Sequence, residues 1–190
     1  MDKLFIVMPA YNEQVNIDEV IISWLSVLNS LPDKNPKSRL VINDSGSTDR
    51  THKILLGLAK NHSNLILLSK SPSNYNAKLF RLYEFAIEQK ADFIFQTDSD
   101  GRTSGDVFRR VWAMRNNHDI IIGNRTAYRG GISKQISEMV AKFYSWIIVN
   151  YDIPDITVSF RLFRMSLISP YIKKLRKYSS SPNIMLTFYL

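Results

Sequence analysis

Short apolar segments alternate along the chain with longer segments in which apolar residues recur every three or four positions. Each short segment spans four or five residues and is bounded by polar or turn-forming residues, which is typical of a buried β-strand. On this basis we predict strands over residues 4–8, 39–42, 65–68, 92–96 and 120–123.

The longer segments have the spacing of amphipathic helices, about 3.6 residues per turn. In the first of them Val20 and Trp24 recur on one face, and Asn12 or Asn16 is suited to cap the helix start. Further helices are predicted from about residue 48 and over residues 77–89, 105–116 and 133–149. Strands that alternate with helices form a parallel sheet covered by helices, so the pattern predicts an α/β protein.

Length and composition place the chain among ordinary globular proteins. The 190 residues suit one domain, of which 45% are hydrophobic and 22% charged, so we expect a single domain over residues 1–190. The absence of cysteine excludes disulfides and thiolate metal sites. No segment reaches the roughly 18–20 uncharged apolar residues of a membrane span, and the first strand leaves no room for a signal peptide. These features predict a cytoplasmic protein, soluble or peripheral at the inner face of the membrane.

The chain carries a net charge of +8, with a basic cluster at Lys173, Lys174, Arg176 and Lys177. A basic surface favours anionic partners such as nucleic acid, anionic lipid or phosphorylated substrates, although a run of charges is also typical of a solvated helix end. Both interpretations of the cluster stay open. The basic residues are not interleaved with aromatic residues, and neither a helix-turn-helix nor an RNA-binding signature is present. We therefore expect no nucleic-acid partner.

Polar motifs follow three of the predicted strands. They read MPAYNE at residues 8–13, NDSGSTDRT at residues 43–51 and TDSDGR at residues 97–102. In a parallel sheet the carboxyl ends of the strands share one edge, and ligands bind beyond that edge. The three motifs are therefore expected to form one ligand site.

Asp98 and Asp100 are candidates for a metal site. Two carboxylates so close in sequence repel each other, so a cation or a proton is needed near them. Their hard oxygen atoms suit Mg²⁺ or Mn²⁺, ions that also hold a diphosphate. The same D-x-D-G sequence also favours an Asx-turn, which would be a structural role. The edge shared with the other two motifs favours the metal site.

The second motif holds two aspartates with different expected roles. Asp49 lies near a predicted helix start, where it would complement the helix dipole, so we expect a structural role for it. Asp44 lies at the strand end and is better placed to accept a hydrogen bond from a ligand. Tyr11 in the first motif is suited to stack on a base, and equally to be an ordinary surface aromatic residue.

Five segments together resemble the family 2 glycosyltransferases of the GT-A fold, particularly the branch of dolichyl-phosphate mannose synthase and bacterial polyprenyl-phosphate glycosyltransferases. The segments read PAYNE (9–13), DSGSTDRT (44–51), DSDGR (98–102), IIGNR (121–125) and DITVSFRLFR (155–164). They occur in the family's order and cover nearly the whole chain. The resemblance implies a Rossmann-like, mostly parallel sheet flanked by helices. It also implies a nucleoside-diphosphate sugar donor and a divalent metal, Mg²⁺ or Mn²⁺, at the DxD motif.

The resemblance further implies roles for particular residues. Asp98, Asp100 and Arg125 would be catalytic. Asp98 would face the ribose and diphosphate, and Asp100 would bind the metal together with Asp98. The residues implied in donor binding are Pro9, Ala10, Tyr11, Glu13, Asp44 and Asp98, with Asp44 on the base. The residues implied in acceptor or phosphate binding are Arg125, followed by Arg129 or Lys134, together with Ser159 and Arg161.

Two departures from the family pattern affect the expected reaction. Residues 74–78 read NYNAK, where the family has a glycine-rich segment, and the final segment SPNIMLTFYL lacks the acid that many relatives use as a base on a hydroxyl acceptor. A phosphate acceptor is already an anionic nucleophile and needs no base. We therefore predict transfer to a polyprenyl phosphate, in cell-envelope biogenesis. The resemblance implies that this transfer is inverting and metal-assisted.

Two alternatives stay open. One is a transferase that extends a surface or capsular glycan at a hydroxyl group, with Asp155 as the base; the other is a non-catalytic module that binds a nucleotide sugar. Arg161 and Arg164 are equally suited to an internal ion pair with Asp155. Family members commonly continue into further C-terminal helices, which makes a chain that stops at Leu190 a candidate for a truncated form.

Overall fold

The computed structural model describes residues 1–32, 35–44, 46–68, 74–123, 158–178 and 182–189. The strands in these residues are β1 (Leu4–Ala10), β2 (Arg39–Asp44), β3 (Leu65–Leu68), β4 (Phe93–Gln96), β5 (Ile120–Ile122) and β6 (Arg161–Arg164). The helices in the same residues are α1 (Ile17–Asn29), α2 (Thr51–Asn61), α3 (Tyr75–Glu88), α4 (Gly105–Ala113), α5 (Met165–Tyr178) and α6 (Pro182–Tyr189).

The strands form one sheet in the order β3-β2-β1-β4-β6-β5. β3, β2, β1 and β4 are parallel neighbours, and β1 pairs on both sides, with Val7 opposite both Val41 and Gln96. β6 runs antiparallel to both β4 and β5. The predicted α/β class with a mostly parallel sheet is therefore confirmed, with one strand of reversed direction inside it.

β1 is buried along its whole length. Leu4, Ile6 and Met8 pack with residues of α1 and α4 on one face of the sheet, while Phe5 and Val7 pack with residues of α3 and α5 on the other. Alternate side chains of a strand point to opposite faces, so a strand that is apolar throughout needs cover on both sides. The result is three layers, with the carboxyl ends of the parallel strands at one edge.

The predicted strands correspond to β1 to β5, but β1 and β2 are each two residues longer than predicted. Pro9 pairs with Asn43, and Ala10 pairs with Asp44, at the ends of these strands. The first residues of two polar motifs therefore belong to the sheet itself, which fixes the place where the following loops begin.

Local hydrogen bonds explain where the helices differ from the prediction. α3 begins two residues early because Asn74 Oδ1 accepts a hydrogen bond from the Ala77 amide at 2.9 Å. α2 begins three residues late because Thr48 bonds instead to the loop after β1. Asn16 occupies the N-cap position of α1 but makes no side-chain cap bond. The helix predicted over residues 133–149 lies outside the described residues.

The apolar pattern did not predict β6, α5 and α6. β6 reads RLFR, and two apolar residues between two charged ones are too few to indicate a strand. α5 contains Pro170, a residue that argues against a helix interior. These elements lie near the end of the sequence, and their apolar residues pack with those of α3 on one face of the sheet.

The basic cluster lies on the exposed side of α5, whose Ile168, Ile172 and Leu175 are buried. Arg176 from this cluster forms a double hydrogen bond to the carboxylate of Glu84 in α3, at 2.5 and 2.6 Å. Part of the cluster therefore helps α5 pack on α3. Among the described residues, no helix has both the length and the apolar character needed to cross a bilayer.

Candidate functional site

A cleft of about 480 Å³ opens at the carboxyl edge of the sheet. The end of β1, the start of α3 and the turn after β4 form its walls. The lining residues are Pro9, Ala10, Tyr11, Glu13, Asn74, Tyr75, Lys78, Asp98, Ser99 and Asp100. The first and third polar motifs therefore meet as expected, while the second motif supports the rim without lining the cleft.

Hydrogen bonds hold the loop after β1 against the loop after β2. The Asn12 amide donates to Ser47 Oγ at 3.0 Å, and the Thr48 amide donates to Asn12 Oδ1 at 2.8 Å. The Glu13 amide donates to Thr51 Oγ1 at 2.8 Å. Asn12 has a φ of 53°, a left-handed conformation in which asparagine is more frequent than most residues. The loop at the end of β1 is thereby held in place.

Asp49 has the structural role expected for it. Its carboxylate accepts hydrogen bonds from the amides of Gln14 and Thr51, at 3.1 and 2.9 Å. These bonds join the loop after β1 to the start of α2, and Asp49 does not line the cleft.

Asp44 does not line the cleft either, so its predicted contact with the base of a donor stays a prediction. Its side chain is completely buried at the end of β2. Oδ1 accepts hydrogen bonds from the amide and the hydroxyl of Ser47 at 2.9 and 2.7 Å, and Oδ2 lies 2.7 Å from Nδ1 of His52. Because both carboxylate oxygens are engaged within the protein, Asp44 shapes the loop after β2. The sequence did not indicate the His52 contact, since no motif connects the two residues.

Asp98 and Asp100 lie in a tight turn directly after β4. Gly101 has a φ of 73°, and the Arg102 amide donates to Asp100 Oδ1 at 3.0 Å, as in the Asx-turn that the sequence favoured. Arg102 Nε also lies 3.3 Å from Asp100 Oδ2. Both carboxylates still line the cleft, so the structural role of this turn is compatible with a role in binding.

Negative charge accumulates around Glu13. Burial raises the pKa of the Glu13 carboxyl, and repulsion from Asp100, Asp49 and Asp98 raises it further, while Arg102 opposes the shift. A group of like charges of this kind favours a bound cation, which would relieve the repulsion.

The side chains present fit a divalent metal chemically. The carboxylate oxygens of Asp98 and Asp100 are hard ligands of the type that Mg²⁺ and Mn²⁺ prefer. Within the described residues, no three His, Cys, Asp or Glu side chains lie close enough to hold a metal ion by themselves. Further oxygen atoms, such as those of water or of a bound ligand, would complete the coordination.

Tyr75 is a cleft residue that the sequence did not indicate. Its hydroxyl lies 3.4 Å from Asp98 Oδ1 and 3.2 Å from Ser159 Oγ, and it accepts a long hydrogen bond of 3.5 Å from Gln96 Nε2. Burial and the Asp98 carboxylate raise the pKa of Tyr75 to about 12, so the phenol stays protonated at neutral pH. Gln96 Oε1 accepts in turn from the hydroxyl of buried Tyr83. Tyr75 thus connects the start of α3 to Asp98 and to the segment before β6.

Lys78 is a second cleft residue that the sequence did not indicate. It is only 5% exposed, and its Nζ lies 5.8 Å from the centroid of the Tyr11 ring. Burial lowers the pKa of the Lys78 ammonium, and attraction to Asp44 only partly opposes this. The Lys78 carbonyl accepts a hydrogen bond from Asn43 Nδ2 at 3.3 Å, which holds the first turn of α3 over the end of β2. The sequence signal that could have indicated Lys78 is the segment NYNAK (74–78), which stands where the family has a glycine-rich segment.

Arg161, which was predicted to bind the acceptor or its phosphate, bonds within the protein. The side chain is completely buried. Its guanidinium donates to the carbonyl oxygens of Val158 and Asn183 and to the hydroxyl of Thr187, at 2.6, 2.9 and 2.7 Å. An arginine held in this way joins β6 to α6, and its predicted contact with an acceptor stays a prediction.

Of the other residues predicted on the acceptor side, the structure describes Ser159 but not the three basic residues. Ser159 lies beside the cleft, where its Oγ meets the hydroxyl at the start of α3. Arg164, for which an ion pair with Asp155 was one open alternative, pairs with Asp119 at 2.5 Å. The residues outside the described part of the chain are Arg125, Arg129, Lys134 and the candidate base Asp155.

Known proteins resemble this chain in sequence. The family model described as "Glycosyl transferase family 2" matches residues 5–171. A dolichyl-phosphate beta-glucosyltransferase of Trichomonas vaginalis is 28% identical over 130 residues, which are 64% of this chain and 40% of that protein. The chain thus spans about two fifths of the length of the curated relatives that it matches.

Solved structures of lower identity share the fold. Glucosyl-3-phosphoglycerate synthase from Mycobacterium tuberculosis, in complex with Mn²⁺, uridine-diphosphate-glucose and phosphoglyceric acid, has a TM-score of 0.62 at 17% identity, covering 88% of this chain and 58% of that chain. S. aureus TarS has a TM-score of 0.60 at 16% identity, covering 97% of this chain and 53% of that chain. At these identities the likeness concerns the fold alone.

Proposed function

Because the chain belongs to glycosyl transferase family 2 and has the GT-A fold, we propose that its cleft binds a nucleoside-diphosphate sugar for transfer to an acceptor. The observation that carries this proposal is the meeting of the β1 end, the α3 start and the Asp98–Asp100 turn in one cleft. Its volume of about 480 Å³ is within the range of small-molecule sites.

The parts of such a donor match different parts of the cleft. Pro9, Ala10 and Glu13 form the wall at the end of β1, where we propose that the base and ribose lie. Tyr11 is 53% exposed and offers an aromatic face on which a base can stack. The diphosphate would lie at the turn after β4.

We propose that Asp98 and Asp100 hold Mg²⁺ or Mn²⁺ together with oxygen atoms of the diphosphate. When bound, the cation neutralises charge that develops on the departing diphosphate. The Tyr75 hydroxyl donates to Asp98 Oδ1 and keeps that carboxylate turned into the cleft. Arg102 is 79% exposed, so it can release Asp100 and contact a phosphate instead. The Mn²⁺ and uridine-diphosphate-glucose named for the M. tuberculosis neighbour support the same combination here.

A polyprenyl phosphate is the acceptor that we propose. The curated relative named as a dolichyl-phosphate beta-glucosyltransferase supports this class. Residues 158–178 and 182–189 contain no aspartate or glutamate, and the loss of a general base typically slows transfer to a hydroxyl by about 10²–10⁴-fold. A phosphate oxygen needs no such base. Arg125, with Arg129 or Lys134, is proposed to hold this phosphate.

The proposed transfer is a single displacement. The acceptor oxygen forms a bond to the anomeric carbon, the bond from that carbon to the diphosphate oxygen breaks, and the electron pair leaves with the diphosphate. Attack from the face opposite the leaving group inverts the anomeric carbon. Lys173, Lys174 and Lys177 are exposed on α5 and are proposed to favour contact with anionic lipid at the inner face of the membrane, where the acceptor lies.

Thermal unfolding with a panel of nucleoside-diphosphate sugars, with and without Mn²⁺, tests donor and metal binding together. We expect one donor to stabilise the protein in the presence of Mn²⁺, since a ligand at about 100 times its Kd adds roughly 2.7 kcal/mol. Asp100→Ala should remove the Mn²⁺-dependent part of the stabilisation. Asp106→Ala is the control, because Asp106 is 82% exposed on α4 and does not line the cleft.

Two results would count against this proposal. A wild-type protein that no donor stabilises would argue against the cleft as a donor site. An Asp100→Ala variant with an unchanged response to Mn²⁺ would argue against the metal ligand.

A further inference from the structure

Lys78 is a buried cation in the wall of the cleft. Only 5% of the residue is exposed, and the residue lines the cleft. The nearby Tyr11 ring, 5.8 Å away, offers only its face to the ammonium. Because an ammonium in the wall of a cleft can donate hydrogen bonds to what the cleft holds, this geometry favours an acceptor atom on a ligand that lies against Tyr11.

The sheet order shows which end of the cleft Lys78 occupies. β2 and β4 lie on opposite sides of β1. Asn43 in β2 bonds to the Lys78 carbonyl, whereas Asp98 and Asp100 follow β4. Tyr11 lies between them at the end of β1. The cleft therefore has a cationic end over β2 and an acidic end over β4.

These two ends orient a donor of the proposed kind. This step rests on the proposed function, in which the diphosphate and its cation lie at the acidic end. The base is then directed toward Tyr11 and Lys78. In a pyrimidine the O2 carbonyl lies next to the bond to ribose, whereas position 4 lies at the far edge of the ring. Lys78, at the end away from the diphosphate, meets that far edge.

We propose that Lys78 selects the base of the donor by donating a hydrogen bond to a carbonyl oxygen at this far edge, O4 of uracil or O6 of guanine. A lysine ammonium has three donors and no acceptor. Cytosine and adenine carry an amino group at the corresponding position, which leaves the lysine donor unsatisfied. Tyr11 does not discriminate, because every base has an aromatic face.

Calorimetric titration of the full chain with nucleoside diphosphates in the presence of Mn²⁺ tests this assignment. UDP and CDP differ only at position 4 and the adjacent N3 of the base. GDP with ADP gives a second comparison, in which the bases differ at position 6, at N1 and at position 2. We expect the wild type to bind UDP at least about 10-fold more tightly than CDP, or to bind GDP at least about 10-fold more tightly than ADP.

The Lys78→Met variant keeps the length of the side chain without its charge, and we expect it to bring the UDP/CDP and GDP/ADP ratios close to one. Lys60→Met is the matched control, since Lys60 is exposed in the last turn of α2, and it should keep the wild-type ratios.

Equal binding of the keto and amino bases by the wild type would overturn the proposal even if Lys78→Met did not fold. So would a Lys78→Met variant that folds and keeps the wild-type discrimination. In both cases nucleoside-diphosphate binding itself would remain, and the proposed function with it. A wild type that binds none of the four would overturn the proposed function, and the role of Lys78 as well.

Discussion

At the scale of single residues, bonding and burial decide which carboxylates around the cleft are available to a ligand. Asp44 and Asp49 bond within the loops, and neither lines the cleft. Glu13, Asp98 and Asp100 line it, and the charges of the two aspartates act on Glu13. A site that collects like charges is less stable without a cation, and this repulsion is what a bound cation would remove.

We expect Glu13→Gln to raise the melting temperature in the absence of metal by about 1–2 °C at neutral pH. The pKa of Glu13 is raised in the folded protein, so its ionised form destabilises the fold above that pKa. This destabilisation disappears as the pH falls through the raised pKa, and the advantage of the variant should disappear with it.

Thermal unfolding from about pH 7 to about pH 4 measures this difference, because the lower limit lies below the usual pKa of a glutamate. Glu19→Gln, at an exposed position in the first turn of α1, is the control and should show no comparable gain. A Glu13→Gln variant that is less stable than wild type at neutral pH would contradict the electrostatic account.

At the scale of elements, the turn that joins β4 to α4 carries the acidic end of the cleft. Its conformation depends on Gly101, whose φ of 73° is rarely adopted by residues with a side chain. A Cβ added to Gly101 would also lie 3.3 Å from Cγ2 of Val20 in α1. The positions of Asp98 and Asp100 thus depend on a backbone conformation and on the packing of a helix beside it.

Gly101→Ala should therefore destabilise the protein by about 1 kcal/mol or more and weaken Mn²⁺-dependent donor binding. Gly57→Ala is a matched control, because Gly57 lies inside α2 and an added Cβ there meets no atom within 4 Å. That change should stabilise the protein by up to about 1 kcal/mol and leave donor binding unchanged. Urea unfolding and the donor-induced thermal shift measure both effects, and equal results for the two variants would contradict the role of the turn.

At the scale of the whole molecule, the order of the strands determines the layout of the site. β1 lies between β2 and β4, so its end separates the cationic side of the cleft from the acidic side. The antiparallel β6 brings Ser159 next to the start of α3. Ser159, in the segment where the family resemblance implies the acceptor side, therefore lies next to the wall of the cleft.

The acceptor is tested by transfer of a labelled sugar from the donor that stabilises the protein. We expect transfer to a polyprenyl phosphate to exceed transfer to the matching polyprenol by about 10²-fold or more, because the alcohol needs a base that the phosphate does not. Comparable transfer to the alcohol would favour the hydroxyl acceptor with Asp155 as base. Donor binding without any transfer or hydrolysis would favour a non-catalytic module.

The sequence predicted much of the fold and part of the site. The strands β1 to β5 and the helices between them were expected from apolar periodicity, because each signal lies within one short segment. The meeting of Tyr11 with Asp98 and Asp100 was expected from the rule that parallel strands end at one edge. β6 was missed because it contains too few apolar residues to indicate a strand.

The amino-acid sequence by itself determined the α/β class, the family and two of the segments that reach the cleft, those after β1 and β4, because these depend on local pattern. Only the tertiary structure decided which side chains face the cleft. Arg161 bonds to Asn183, which is distant in sequence, and Asp44 bonds to His52, although no sequence motif connects these two residues. Tyr75 and Lys78 lie in the wall because α3 packs on β1 and its first residues reach the cleft. The direction of a side chain depends on packing between elements, and a linear pattern does not contain that packing.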